Sequence, residues 1–153
     1  METINKDIML PEDGKKLNLL GDPFICKAVG QDTEQSWSLF EATVMPESMV
    51  PAHKHDGFDE AFYILEGELE MQMDGETLTA TKGFFINIRR GIVHSYQNKT
   101  SEIVRYLTWT HPAGIEHFYE DIDRNVKVIP DDLEKIVGIA EKHQIQILPL
   151  PEN

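Results

Sequence analysis

The chain has 153 residues, 41% hydrophobic and 27% charged, which is the composition of one globular domain able to bury a core and excludes a disordered or membrane-embedded protein. Its 27 acidic against 14 basic residues leave a net charge of −13, which repels phosphate backbones and anionic lipid and attracts divalent cations. Nucleic acid and membrane surfaces are therefore not expected as partners.

Residues 1–15 read as a polar N-terminal arm, METINKDIML having no apolar core of the kind a secretory signal needs. With Cys26 as the one cysteine and no membrane-length apolar run, a cytoplasmic setting is expected. From KKLNLLGDPFICKAV onward the texture is β, with short apolar runs broken by Gly, Asp and Pro. SWSLFEATVMP alternates and ends at Pro46. In ELEMQMDGETLTA, Leu69, Met71 and Met73 alternate with Glu70 and Gln72, and Asp74-Gly75 supplies the left-handed backbone of a tight hairpin turn. GFFINI, VHSYQN and EIVRYLTWT continue the series. Strands at this spacing, with no helix between them, predict an all-β antiparallel sandwich or barrel over residues 16–112.

After His111-Pro112-Ala113-Gly114 the period changes. Ile115, Phe118, Tyr119 and Ile122 share one helical face, and Leu133, Ile136, Val137 and Ala140 repeat the pattern behind the acids of PDD. IQILPLP reads as a short strand or a packed tail. Residues 113–153 are thus a short helical C-terminal appendix packed on the barrel.

The chemistry concentrates in PAHKHDGFDEAFYILEG. On a strand, His53 and His55 place two imidazoles on one face with Lys54 pointing away. Asp56, Asp59, Glu60 and Glu66 offer a choice of carboxylates, of which Glu60 would share a face with Phe62 and Ile64. GIVHSYQN adds His94, with Tyr96 on the same face. Three imidazoles and a carboxylate suit one divalent transition metal, whether Fe, Mn, Ni, Zn, Co or Cu, and in an octahedral site would leave two positions open. A carboxylate against Phe62 and Ile64 would be desolvated, its proton affinity raised unless a metal holds it ionised.

The spacing resembles the cupin superfamily. Residues 53–67 read His-x-His, four residues, Glu60, six residues, Gly67. Gly83, Gly91, His94 and Asn98 match the second cupin motif in type and spacing, with Arg89 where the family has Pro. The resemblance implies an antiparallel jelly-roll (cupin) β-barrel with His53, His55, Glu60 and His94 as metal ligands in its wider mouth. It implies turns or close strand approach at Gly67 and Gly83, and a bend at Gly91 whose rigidity Arg89 puts in question. The layout is also similar to single-domain cupins related to quercetin 2,3-dioxygenases.

That resemblance implies a metal-dependent dioxygenase acting on a small aromatic or enolisable substrate, with Glu60 accepting the substrate's proton. The alternatives are a metal-dependent isomerase or epimerase of a sugar or small acid, or a non-catalytic small-molecule-binding cupin. A homodimer is expected from the family. Phe62, Ile64 and Tyr96 are the expected substrate-binding residues. Phe85 and Trp109 are further candidates for a pocket wall, ordinary core being the commoner use of such side chains. His111, His117 and His143 are expected at the surface, and Arg89-Arg90 in a solvated loop.

Overall fold

The computed structural model describes residues 7–127 and 132–149, apart from the side chain of Leu133. The start of the N-terminal arm, Pro130 and Asp131 of PDD, and the final residues 150–153 lie outside that set.

Alternating apolar residues give ten strands before the first α-helix, with one 3-10 turn (Gly30–Asp32) after the second: β1 (Lys15–Leu19), β2 (Asp22–Ala28), β3 (Ser38–Val44), β4 (Met49–His55), β5 (Asp59–Glu66), β6 (Leu69–Met73), β7 (Glu76–Ala80), β8 (Phe85–Ile88), β9 (His94–Gln97) and β10 (Val104–His111). Helices α1 (Ile115–Asn125) and α2 (Leu133–Lys142) follow, and the chain returns to β structure in β11 (Ile145–Ile147). IQI is thus a strand, which settles the choice between strand and tail. All pairings are antiparallel, in two sheets ordered β1-β2-β3-β10-β5-β8 and β11-β4-β9-β6-β7. This is the expected jelly roll.

The inner faces are set by period-two alternation. In β3, Ser38, Phe40, Ala42 and Val44 are buried while the residues between them are not. Phe40, Ile64, Leu69, Met71 and Val104 are almost wholly removed from water. A side chain of this kind contributes roughly 1.5–3 kcal/mol on burial, so the core between the sheets accounts for the fold's cohesion. Asp74 (φ 52°) and Gly75 (φ 82°) make the two-residue turn that fixes the β6–β7 register, pairing Met73 with Glu76.

Gly67 (φ 85°) lies so close to β10 that an added Cβ would sit 2.6 Å from the Ile103 carbonyl oxygen. Only glycine fits that approach. Gly91 (φ 79°) donates its N–H to the His55 carbonyl at 2.9 Å, and Ile92 N–H closes the same bend on the Arg89 carbonyl at 3.2 Å. The bend therefore forms with Arg89 in place of proline, held by hydrogen bonds. Buried Asn98 braces the far end of β9, donating from Nδ2 to the carbonyls of Val44 and Glu102.

The appendix packs where the barrel opens. Ile115, Tyr119 and Ile122 of α1 are buried, as the helical stripe predicts. On α2 the stripe is narrower than expected: Ala140 is buried and Ile136 half-buried, but Val137 is exposed. Among the described residues no helix is long and apolar enough to cross a membrane.

Candidate metal centre

His53 and His55 lie on β4, and His94 begins β9 directly opposite His53 in the register. β11 covers the other edge of β4, pairing Ile145 with His55 and Ile147 with His53. The ring centroids of His53 and His94 are 4.1 Å apart and those of His55 and His94 5.1 Å. One ring nitrogen from each of the three falls within 4.8 Å of the others, a spacing at which they could hold one metal ion.

Backbone carbonyls decide which nitrogen is offered. Nδ1–H of His53 donates to Pro51 O (2.9 Å), that of His55 to Phe58 O (3.0 Å) and that of His94 to Ile92 O (2.9 Å). A carbonyl can only accept, so Nδ1 carries a proton in each ring and Nε2 is the nitrogen turned toward the centre. This is the arrangement that fixes tautomer and ring orientation in metal-ligating histidines. The Nε2 atoms of His55 and His94 are buried with no hydrogen-bond partner. Buried polar atoms are almost always paired, and a cation bound there would resolve both exceptions at once. Phe58 stacks on His55 at 4.0 Å and fixes that ring further.

Glu60 comes from the opposite sheet. β5 places it between Thr110 of β10 and Ile88 of β8, facing inward and only 5% exposed. Its Oε1 stands 3.5 Å from His94 Nε2 and 3.7 Å from His55 Nε2, inside Coulomb range but beyond hydrogen-bond length. Burial pushes its pKa up, yet the two imidazoles outweigh burial and hold it at about 2. Reciprocally, burial lowers the His55 pKa but Glu60 reverses the shift and raises it. Burial, with His94 alongside, lowers His53 to about 4, so its ring is neutral and ready to coordinate.

The centre opens into a cavity of about 160 Å³. Phe24, Phe62, Tyr96 and Tyr106 line it from the barrel, and Ile115, Phe118, Tyr119 and Ile122 from α1. The stripe on α1 is thus a wall of the cavity as well as packing. Ile64 is fully buried in the core and is not among the cavity-lining residues, whereas Phe62 and Tyr96 are. Phe85 and Trp109 line no part of it either. They sit together on the outer face of the first sheet, centroids 5.8 Å apart, with Phe85 57% exposed. Asn87 and Arg105 share the strand phase of these two aromatics and mark it as outward.

Tyr106, Asp22 and Glu116 escape a sequence reading. Tyr106 has a usable signal, since it alternates with Arg105 in phase with Val104. Asp22 lines the cavity and accepts hydrogen bonds from Met45 N–H (3.0 Å) and the Ser48 hydroxyl (2.6 Å). Glu116 accepts from Gly30 N–H (2.8 Å), the Ser38 hydroxyl (2.7 Å) and Gly114 N–H (3.0 Å), which pins the start of α1 to the barrel. Of the remaining histidines, His111 and His117 are exposed, while half-buried His143 meets Asp121 at 2.6 Å.

Comparison with known proteins agrees with this geometry. The model of the cupin domain family matches residues 40–110. Quercetin 2,3-dioxygenase of Bacillus subtilis is 33% identical over 72 residues, 47% of this chain but only 21% of that enzyme's own length. The polyketide synthase CurC of Streptomyces cyaneus is 30% identical over 103 residues, 66% of each chain. Among solved structures, an RmlC-like cupin from Shewanella frigidimarina superposes with a TM-score of 0.64 at 14% identity, covering 74% of this chain and 96% of that one. With the two-sheet barrel, both sequence motifs and the three converging histidines in agreement, this chain belongs to the cupin superfamily.

Proposed function

We propose that the chain is a metal-dependent dioxygenase acting on a small aromatic or enolisable substrate. One observation carries the reading: three histidine ring nitrogens converge, beside a buried carboxylate, at the end of an apolar cavity. His53, His55 and His94 would hold the metal, with Glu60 adjoining as a fourth ligand or as a base. A divalent transition ion bound there supplies Lewis acidity toward a substrate hydroxyl and a redox partner for dioxygen. Glu60 accepts the hydroxyl proton at its Oε1, the oxygen that faces the histidines. Phe62 and Tyr96 flank the substrate ring, and the α1 wall excludes water from it.

The substrate class is set by size and lining. An apolar cavity of about 150 Å³ takes a benzene-sized ligand, so a space of about 160 Å³ is sized to hold one ring. The lining includes no Lys or Arg, which disfavours a sugar phosphate or sugar acid and with it the isomerase reading. The curated relatives named as a quercetin dioxygenase and a polyketide synthase support oxygen-rich, enolisable substrates.

The test is oxygen uptake by protein reconstituted separately with Fe, Mn, Ni, Co, Cu and Zn, offered acetylacetone and a panel of single-ring phenols. Uptake is expected with at least one redox-active ion and not with Zn. Tight metal binding without oxygen uptake on any substrate would overturn the dioxygenase assignment.

A further inference from the structure

Tyr96 of β9 and Tyr106 of β10 come from opposite sheets and meet inside the barrel, with their hydroxyl oxygens 3.0 Å apart. Both are buried and both line the cavity. Each phenol carries one proton, so the pair owns two donors while its mutual bond consumes one. Among the described residues neither hydroxyl has a second partner. The Phe62 ring that packs on both tyrosines offers no acceptor, and among the described residues the Asp22 carboxylate bonds Met45 and Ser48 and neither phenol. A spare buried donor without an acceptor is disfavoured, and the open volume is where this one can be satisfied.

Tyr96 lies two residues beyond His94 on the same face of β9, an offset of about 7 Å along the strand. We propose that the Tyr96–Tyr106 pair is a second polar anchor for the substrate, its spare O–H donating to a carbonyl or carboxylate oxygen. The substrate class is therefore a single ring, or an enolisable chain of that length, with a hydroxyl at the histidine end and an accepting oxygen at the other. A 4-hydroxyaryl carbonyl compound is the simplest member. The pair positions the substrate and takes no part in proton removal. This assignment rests on the proposed function only in that the histidine end receives a substrate hydroxyl.

The test compares 4-hydroxybenzaldehyde with p-cresol, which share ring and hydroxyl but differ in the acceptor. Binding of each is measured by calorimetry on metal-free and Zn-loaded protein. Wild type should bind the aldehyde about five- to tenfold more tightly, the worth of one buried neutral hydrogen bond. In Tyr96→Phe/Tyr106→Phe that preference should shrink to within about twofold while p-cresol affinity holds, and the double variant should fold because both partners become apolar rings of the same shape. Tyr106→Phe alone should keep the preference, since Tyr96 then has its own proton free. Equal binding of the two probes by wild type overturns the proposal, as does a preference that survives in the double variant. Because the preference is expected without metal, a failure of oxygen uptake would sink the dioxygenase reading and leave this one standing.

Discussion

Two carboxylates are buried in this fold, Glu60 inside the barrel and Glu116 where α1 meets it, and they are used in opposite ways. Glu60 and Glu116 are 5% and 3% exposed, and both have their pKa values pulled below the ordinary carboxylate range against the opposing effect of burial. Glu116 reaches that state through hydrogen bonds at 2.7–3.0 Å from Ser38, Gly30 and Gly114, which saturate its oxygens. Glu60 reaches it through imidazoles at 3.5 and 3.7 Å, too far to bond, in front of two Nε2 atoms that have no partner. Burial and a shifted pKa therefore do not separate a structural acid from a chemical one. Unspent hydrogen-bonding capacity does. Glu116 has little left to offer a ligand, whereas Glu60 and its histidines have almost all of theirs.

The sharpest way to test the contrast is to remove each charge without removing volume. Glu60→Gln should lower turnover by about 10²–10⁴-fold, the usual contribution of a positioned general base. Because the fold holds the Glu60 carboxyl well below its ordinary pKa, its charge is stabilised there, and Glu60→Gln should also cost the metal-free protein some stability. Glu116→Gln should cost about 1–3 kcal/mol in denaturant unfolding through unpaired buried donors while metal content and turnover stay unchanged. If Glu116→Gln lowers turnover as far as Glu60→Gln does, the distinction fails.

The third expectation is an acid-side signature. The folded Glu116 pKa lies below its ordinary value of 4.5, so its stabilisation is complete above about pH 4.5 and is lost as pH falls through the folded pKa. The stability gap between wild type and Glu116→Gln should therefore narrow steadily below pH 4.5. A gap independent of pH would show that the carboxylate's charge is not what the three donors recognise.

The fold was legible because period-two alternation and the Asp74-Gly75 turn are local signals, and the strands formed where those signals lie. His53 and His55 were legible together for the same reason, since a two-residue spacing places them on one face. His94 was legible as a strand histidine, but its contact with His53 is set by the β4–β9 register, which no local signal carries. Glu116 was not legible at all. Its partners Gly30 and Ser38 are 86 and 78 residues away, and a Glu in the first turn of a helix reads as a solvated residue. Phe85 and Trp109 were misplaced by composition, although strand phase with Asn87 and Arg105 pointed outward. The α1 stripe was legible as apolar, but that it faces a cavity depends on where the barrel opens.

The central claim is that His53, His55 and His94 form one metal site with Nε2 as the offered atom. Elemental analysis of protein prepared anaerobically and reconstituted with divalent ions, run in parallel on His53→Ala and His94→Ala, tests it most directly. About one transition-metal ion per wild-type chain is expected, with a near-complete loss in both variants because one of three imidazole ligands is removed. Full metal content in either variant, or no metal taken up by the wild type, would contradict it.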